Sequence, residues 1–334
     1  MYEIAIAGII AFIFVLFVTP RFIRKAKKMG LVGTDMNKKA KPEVAEAGGV
    51  IIYLGVLLAL VALSLYYLFI EELNTSATIL VSLVSLSMIS VIAFIDDLGG
   101  WKKGISRWKK PLITVLAVIP LIPFLLERTA ITLLGQTIAL PYLFYPLVLV
   151  PIGFVIATNA FNLLAGFNGL EAGLGIISTL TLAAFAYNTE FFPLLIVAAF
   201  AMLAFLIFNK YPSKIFPGDT FTYFLGGLFA VVAVLGFFQT IAILIMLPYI
   251  IEGVIKSREI PYILKHKKTF KPECFGRVCE GGDLERPYKE IWSVTHIAIG
   301  IIKKVKGKCH ENDVTLLIVS LHALWCLFLV LVFL

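Results

Sequence analysis

Charge is scarce in this sequence: only 15% of its 334 residues are Asp, Glu, Lys or Arg, whereas 60% are apolar. Soluble domains carry about 25% charged and about 45–50% apolar residues. So few charged side chains cannot cover a 36.9 kDa particle in water, and much of its surface must therefore face lipid. The composition excludes a soluble globular domain. The long apolar runs also exclude a disordered or fibrous chain.

Cysteine is also scarce, and common catalytic motifs are missing. The four cysteines are unevenly spaced, and no Walker-type glycine loop or Ser-His or Cys-His nucleophile arrangement is evident. A zinc site could be drawn from Cys274, Cys279, Cys309 and His310, but the C-x4-C spacing with a distant Cys-His pair matches structural zinc sites poorly. We therefore expect reduced thiols in this segment.

Long apolar runs are abundant. Crossing a hydrocarbon layer of about 30 Å takes about 20 helical residues, and ten runs of suitable length occur. The first ends at Pro20-Arg21 without a small-residue cleavage site, which favours a retained span over a signal peptide. The predicted spans are 4–20, 48–70, 77–95, 110–126, 142–158, 172–188, 191–208, 220–236, 239–255 and 314–334.

The basic residues predict the orientation of these spans. If loops alternate across ten spans, 28 of the 29 Lys and Arg residues fall on one side and only Arg128 on the other. Basic residues in short loops stay in the cytoplasm, so both termini are expected outside. The sequence therefore predicts an all-α integral membrane protein with one polytopic domain over 1–334. Residues 256–312 form a cytoplasmic loop region between spans nine and ten.

Polar residues that interrupt the apolar pattern are the candidates for function. Asp96 and Asp97 close the third span, where negative charge opposes the helix dipole, and basic residues including Lys110 follow them. Asn159 and Asn162 lie one helical turn apart, so both amides face one side and can bind a hard cation or a base. Asp219 follows Pro217-Gly218 and would make a good helix N-cap.

All of these groups fall on the predicted inner side. Carboxylate and carboxamide oxygens suit Mg²⁺, which prefers to bridge substrate phosphates, while Lys and Arg suit the remaining phosphate charge. The combination indicates Mg²⁺-assisted phosphoryl transfer at a membrane surface, from a water-soluble donor to a lipid.

Three longer motifs carry a family resemblance: NAFNLLAGFNGLEAG, PGDTFTYFLGG and the D-x-N-K of Asp35–Lys38. Over nearly its whole length the chain resembles the polyprenyl-phosphate N-acetylhexosamine-1-phosphate transferases of the glycosyltransferase 4 type. The motifs are most similar to the archaeal and eukaryotic branch that uses UDP-N-acetylglucosamine and dolichyl phosphate to begin N-glycan assembly, and we expect an archaeal member. Bacterial peptidoglycan-precursor relatives typically have Asp-Gly at Ala165-Gly166 and a histidine-rich motif that is absent here.

The resemblance implies roles for individual residues. Asn162 and Asp219 would hold Mg²⁺, or Mn²⁺ in its place, against the donor pyrophosphate. Asp96 and Asp97 occupy the paired-aspartate motif, and Lys110 is the phosphate-binding lysine. The expected substrate-binding residues are Gly48, Gly49 and Asn168 near the uridine, Asn159 and Glu171 beside them, and His266, Arg277 and Arg286 for the sugar, where this chain departs from the Arg/His-rich family pattern.

The implied reaction converts UDP-GlcNAc and polyprenyl (dolichyl) phosphate into GlcNAc-diphosphoryl-polyprenol and UMP. The expected setting is the bilayer of the cell membrane, or of the endoplasmic reticulum in a eukaryote, with the active site facing the cytoplasm. A homodimer is compatible with it, and nucleic acid is not expected as a partner. Direct attack by the lipid phosphate is favoured, with Asp97 ordering or deprotonating it, and a covalent aspartyl-phosphate is the alternative route.

Two alternatives to this function stay open. One is the same transfer with another UDP-N-acetylhexosamine or with undecaprenyl phosphate. The other is a membrane transporter, since ten spans with glycine breaks also fit that architecture. Transporter sites lie near the bilayer midplane between repeated halves, whereas these polar clusters lie at span ends and no matching second half is evident.

Overall fold

The computed structural model describes residues 1–99, 109–133, 135–266 and 273–334. Helices dominate these residues. They are α1 (Tyr2–Lys28), α2 (Gly49–Phe69), α3 (Leu73–Leu98), α4 (Lys109–Thr114), α5 (Val150–Phe161), α6 (Leu170–Phe185), α7 (Phe192–Asn209), α8 (Gly218–Gly236), α9 (Gln239–Ile245), α10 (Leu247–Ser257), α11 (Glu259–His266), α12 (Val294–Lys306) and α13 (Glu311–Phe333).

Each predicted span coincides with a helical segment. Among the described residues, six helices are long and apolar enough to cross a membrane. The helix pair Gln239–Ile245 and Leu247–Tyr262 is apolar enough only when taken together, and it is bent by 65°, as in a broken span or a re-entrant loop. Three shorter apolar helical segments, Leu112–Leu125, Tyr145–Phe161 and Leu170–Phe185, coincide with the remaining runs. The first two contain 3₁₀ and π turns, Val115–Leu125 around Pro120 and Pro123 and Tyr145–Leu149 around Pro146. The chain is thus a helical integral membrane protein.

Short antiparallel hairpins add to the helices, which the expectation of an all-α chain did not include. Strands β1 (Val32–Thr34) and β2 (Glu43–Ala45) pair before α2, β3 (Ala130–Leu133) pairs with β4 (Gln136–Ala139), and β5 (Arg277–Val278) pairs with β6 (Leu284–Glu285). The described residues of the region 256–312 also include α11 and α12.

Helix α8 is the most enclosed of the long helices and lies against α2, α3 and α5. Small residues make this possible: a Cβ at Gly226 would lie 2.5 Å from the Thr158 Cα of α5, and one at Gly49 would lie 2.2 Å from the Phe221 N. Because α8 begins at Gly218, this packing places its first turn, with Asp219, among the inner ends of α2, α3 and α5.

Candidate active site

A cavity of about 310 Å³ opens among the inner ends of the helices. Its walls come from segments far apart in the chain: the β1 hairpin, the α5–α6 connection, the start of α8 and the segment before β5. The lining residues are Gly33, Thr34, Asp35, Met36, Glu46, Asn162, Ala165, Gly166, Phe167, Glu171, Asn209, Phe216, Pro217, Gly218, Asp219, Thr222 and Phe275. Of the predicted site residues, Asn162, Glu171 and Asp219 face this cavity directly.

Lys110 joins two carboxylates beside the cavity. Its Nζ lies 2.5 Å from Asp96 Oδ2 and also donates to Asp219 Oδ2, and it lies 4.4 Å from the centre of the Tyr223 ring. Lys110 is buried, at 7% exposure, and two carboxylates neighbour its ammonium group. Lys110 is therefore a protonated, partly enclosed cation that can bind a phosphate oxygen.

Asp97 faces a different partner from Asp96. Its carboxylate accepts hydrogen bonds from Asp219 N at 2.8 Å, Thr220 N at 3.0 Å and Thr220 Oγ1 at 2.5 Å. Adjacent residues on a helix point about 100° apart, which explains how one carboxylate reaches Lys110 while the other reaches α8. Asp97 thus caps the amino end of α8 and holds the backbone of Asp219 in place.

The prediction that Asp219 itself caps α8 is wrong. Asp219 lies in the first turn of the helix, the N-cap position is Pro217, and no side chain at that position makes a cap hydrogen bond. Because Asp97 supplies the cap from another helix, the Asp219 carboxylate is left to face the cavity and Lys110.

Asn162 and Asp219 line the same cavity and are linked through Thr222. Thr222 Oγ1 lies 3.2 Å from both Asn162 Oδ1 and the Asp219 carbonyl oxygen, and all three residues line the cavity. Within the described residues, no three or more His, Cys, Asp and Glu side chains form a ready metal cage. A carboxylate plus a carboxamide in an open cavity nevertheless fits Mg²⁺, which keeps water and takes its remaining ligands from substrate phosphates. The donor set therefore fits the predicted cation.

Asn159 lies behind the site. It accepts a hydrogen bond from the Tyr223 hydroxyl at 2.8 Å and donates to the Val155 carbonyl oxygen at 2.8 Å. It does not line the cavity. In this structure the Asn159 amide therefore fixes Tyr223, whereas Glu171, which accepts from Gly166 N at 3.0 Å, remains at the cavity wall.

Asn168 is almost fully buried at 3% exposure and forms the centre of a polar network. Its side-chain amide donates to Asp35 and Glu311, and its oxygen accepts from Lys38 Nζ at 3.0 Å and Ser213 N at 2.6 Å. Every hydrogen-bonding position of the amide is thus occupied by protein. Contact with a nucleotide, as predicted, would require this network to open.

Gly48 and Gly49 do not line the cavity, contrary to the expectation of a backbone contact with the uridine. Their N–H groups donate to the carbonyl oxygens of Phe216 and Pro217, at 2.9 and 2.7 Å. A Cβ at Gly48 would lie 2.5 Å from the Phe205 ring. These glycines let α2 pack against the segment that enters α8, and so act on the site indirectly.

Arg277 and Arg286, two of the three predicted sugar-binding residues, are not brought to the cavity. Arg277 is exposed and pairs with Glu285 at 2.7 Å, and the exposed Arg286 lies against α12 near Gly300. The His266 side chain lies outside the described residues, as do Lys102, Lys103 and Arg107. The loop instead contributes Phe275, whose ring contacts Gly166 across the cavity wall.

Hydrogen bonds to three other parts of the chain hold residues 274–276, which include Phe275. Cys274 Sγ donates to the Ala165 carbonyl oxygen, Thr295 Oγ1 donates to the Cys274 carbonyl oxygen at 2.6 Å, and Asn37 bridges Gly166 and Gly276. Burial raises the pKa of Cys274 and Cys309 to about 11, so both thiols are protonated at neutral pH. Within the described residues these cysteines form no group of three or more metal-binding side chains, and each of the four cysteines is unpaired.

Glu46 is a cavity residue that the sequence did not single out. It lies just before α2, and its carboxylate is close to Gly33. Burial and then the charge of Asp219 raise the pKa of Glu46 above its usual value of 4.5. No sequence signal distinguishes it, because Glu43 and Glu46 look alike in a basic loop.

Glu46 should make stability depend on pH. The pKa of Glu46 is raised in the folded state. Its contribution to the free energy of unfolding is therefore present below pH 4.5 and is lost as the pH rises through the folded-state pKa. The Glu46→Gln variant should remove this component and be more stable than the wild type above that range. Thermal unfolding in detergent at several pH values measures it. Parallel pH profiles for the two proteins would contradict the assignment.

Comparison with known proteins shows the family of this chain. Residues 78–237 match glycosyl transferase family 4. A Saccharolobus solfataricus protein is 32% identical over 321 residues, which are 91% of this chain and 88% of the relative. A Sulfolobus acidocaldarius protein is 33% identical over 335 residues, 97% of this chain and 94% of the relative. Both carry the name UDP-N-acetylglucosamine–dolichyl-phosphate N-acetylglucosaminephosphotransferase.

A bacterial relative extends the comparison. A Bacillus subtilis protein named as an undecaprenyl-phosphate N-acetylglucosaminyl 1-phosphate transferase is 32% identical over 261 residues, covering 76% of this chain and 69% of its own. The region that matches the family, residues 78–237, includes Asp96 on α3, Asn162 directly after α5 and Asp219 on α8. The chain belongs to glycosyl transferase family 4, as one of its membrane-bound phosphosugar transferases.

Proposed function

We propose that this protein transfers N-acetylglucosamine 1-phosphate from UDP-GlcNAc to a polyprenyl phosphate of the dolichyl type and releases UMP. The observation that carries the proposal is that Asn162 and Asp219 line one cavity while Lys110, paired with Asp96, contacts Asp219 beside it, in a chain of this family. The names of the two archaeal relatives support the choice of donor and acceptor.

The proposed reaction exchanges one phosphoanhydride for another. An oxygen of the lipid phosphate attacks the phosphorus that bears the sugar, a new P–O bond forms, and the bond to UMP breaks with its electron pair leaving on UMP. When Mg²⁺ is bound by Asn162 and Asp219, it compensates charge on the donor pyrophosphate. Lys110 binds a phosphate oxygen and stabilises the charge that develops on the leaving group.

The structure changes the role that we propose for Asp97. Its two oxygens hold the amino end of α8, so it acts by fixing Asp219 and not by removing a proton from the lipid phosphate. A phosphate monoester is largely dianionic at neutral pH, because its second pKa is about 6, so attack needs no strong base. Asp96, through Lys110, is the member of the pair that faces the reacting groups.

An apolar groove suits the lipid chain. It has a volume of about 250 Å³ and is lined by residues of α5, α8, α9 and α10, including Gly153, Ile156 and Ala160. Helix α5 continues from this groove to Asn162 at the cavity. A prenyl chain lying along α5 would therefore present its phosphate to Lys110 and Asp219.

The finer topology is also part of the proposal. Seven spans together with the three shorter apolar segments give ten crossings, which supports the order derived from the basic residues. We place both termini outside the cell membrane and the cavity in the cytoplasm.

Release of UMP tests the function. Purified protein in detergent should form UMP from UDP-GlcNAc only when polyprenyl phosphate and Mg²⁺ are both present. A panel of UDP-sugars, each with dolichyl and undecaprenyl phosphate, separates the proposed substrates from the alternatives. Movement of intact UDP-GlcNAc into vesicles without formation of UMP would instead identify a transporter.

The position of Phe275 predicts how the sugar is selected. Phe275→Ala should lower kcat/KM for UDP-GlcNAc about 10-fold, because the half-buried ring leaves the cavity wall and about 1.4 kcal/mol of apolar contact with the donor is lost, less than for a fully buried side chain. Arg277→Ala should change it less than about 3-fold, because Arg277 is exposed and lies outside the cavity. Steady-state kinetics on UDP-GlcNAc and UDP-glucose checks both. A larger loss for Arg277→Ala would instead assign sugar recognition to the hairpin of β5 and β6, which carries Arg277.

A further inference from the structure

Lys110 has a third contact besides its two carboxylates. Its Nζ lies over the face of Tyr223, 4.4 Å from the ring centre, and Tyr223 is almost fully buried at 1% exposure. A cation over an aromatic face is attracted by the ring quadrupole, most strongly where water is excluded. The ring therefore gives the ammonium group a third partner besides the two carboxylates.

The orientation of the ring is fixed from the neighbouring helix. The Tyr223 hydroxyl donates to Asn159 Oδ1 at 2.8 Å, and the Asn159 amide is itself held by the Val155 carbonyl oxygen. Tyr223 follows Asp219 by four residues on α8, so its ring and the Asp219 carboxylate lie on one face and reach the same lysine.

Ligand binding would affect the contacts of Lys110 differently. The Asp219 carboxylate is a proposed metal ligand, so it would be shared between Lys110 and Mg²⁺ in the loaded site. The Tyr223 ring has no competing partner of this kind, since it cannot bind Mg²⁺ or a phosphate oxygen. It therefore remains as a fixed support for the ammonium group in the loaded site.

From these contacts we infer that Tyr223 is the positioning residue for Lys110, with its ring holding the ammonium against the transferring phosphate and Asn159 holding the ring. The inference rests on the proposed function, because it needs Lys110 to act on a phosphate. It also gives Asn159, expected at first to bind substrate, a role in positioning.

Three variants separate the ring from the hydroxyl. Tyr223→Phe keeps the ring and should retain kcat within about 3-fold, whereas Tyr223→Leu removes it and should lower kcat about 10-fold or more, with KM for UDP-GlcNAc changed less than about 3-fold. Asn159→Ala should cost a few-fold in the wild type and nothing further in Tyr223→Phe, because its hydrogen bond is then already absent.

Phe224→Leu is the matched control. Phe224 is a fully buried aromatic residue next in sequence, packed towards Tyr53 and without contact to Lys110. Phe224→Leu loses about as much aromatic packing as Tyr223→Leu. A general loss of stability would therefore lower the activity of both variants equally. Thermal unfolding of each variant in detergent shows whether it is folded at the assay temperature.

The outcomes are distinct. Wild-type kcat in Tyr223→Leu, or equal losses in Tyr223→Phe and Tyr223→Leu, would overturn the role of the ring. So would a loss in Phe224→Leu as large as that in Tyr223→Leu. A wild-type protein that forms no UMP from any donor would instead defeat the proposed function, before Tyr223 is considered.

Discussion

The Asp219→Ala variant should fold normally and lose roughly 10³-fold in kcat. The carboxylate faces Lys110 and the cavity, and it is the charged member of the pair expected to hold Mg²⁺. Loss of one group that stabilises charge in the transition state typically costs about 10²–10³-fold in rate. Folding should survive because the amino end of α8 is capped by Asp97 and not by Asp219.

The metal is tested together with this variant. EDTA should abolish activity of the wild type, and excess Mg²⁺ should restore it, with Mn²⁺ as a substitute. Asp219→Asn, which keeps an oxygen but loses the charge, should need far more Mg²⁺ for half-maximal activity. Glu290→Ala, at an exposed carboxylate, serves as the control. Near-wild-type turnover of Asp219→Asn at low Mg²⁺ would remove Asp219 from the metal site.

Asp96→Asn and Asp97→Asn should give different defects: the first mainly in kcat, the second in stability as well as activity. Asp97→Asn should lower the unfolding temperature, because the carboxylate bonds two backbone N–H groups and a hydroxyl, and a buried donor left unpaired costs about 1–3 kcal/mol. Activity should fall with it, since the backbone of Asp219 is no longer fixed. Asp96→Asn should leave stability nearly unchanged and reduce kcat, because it weakens the anchor of Lys110.

Thermal unfolding in detergent and steady-state kinetics on the same preparations measure this difference. Thr220→Val is the matched variant for Asp97: it removes the hydroxyl donor and keeps the backbone N–H. It should show a smaller loss of stability in the same direction. Equal unfolding temperatures for Asp96→Asn and Asp97→Asn would contradict the assignment of the cap to Asp97.

Much of the fold could be predicted from the sequence because the bilayer imposes its own pattern. A run of about 20 apolar residues is required at each crossing and is visible without knowledge of any neighbour. The ten runs accordingly coincide with helical segments, including the run around 239–255, which the structure bends by 65°. The small hairpins around the cavity were not predicted, because strands of two to four residues carry no periodic signal.

Part of the candidate site could also be predicted from the sequence. Asn162, Asp219, Lys110 and Asp96 stood out because polar groups at the ends of apolar helices are costly unless they are used. Glu46 and Phe275 did not stand out, since a glutamate in a basic loop and a phenylalanine in an apolar chain are ordinary there. Their place in the cavity depends on which loops meet.

The sequence by itself determined that this chain is a membrane protein, where its helices run, and that acidic, amide and basic groups lie at the ends of these helices. Only the tertiary structure decided which of these groups face a ligand. Asp97 caps α8, Asn168 is enclosed by protein, and Asn159 holds Tyr223. The physical reason is that spacing along a helix fixes which face a residue occupies, whereas its partner lies more than 60 residues away and is set by how the helices pack.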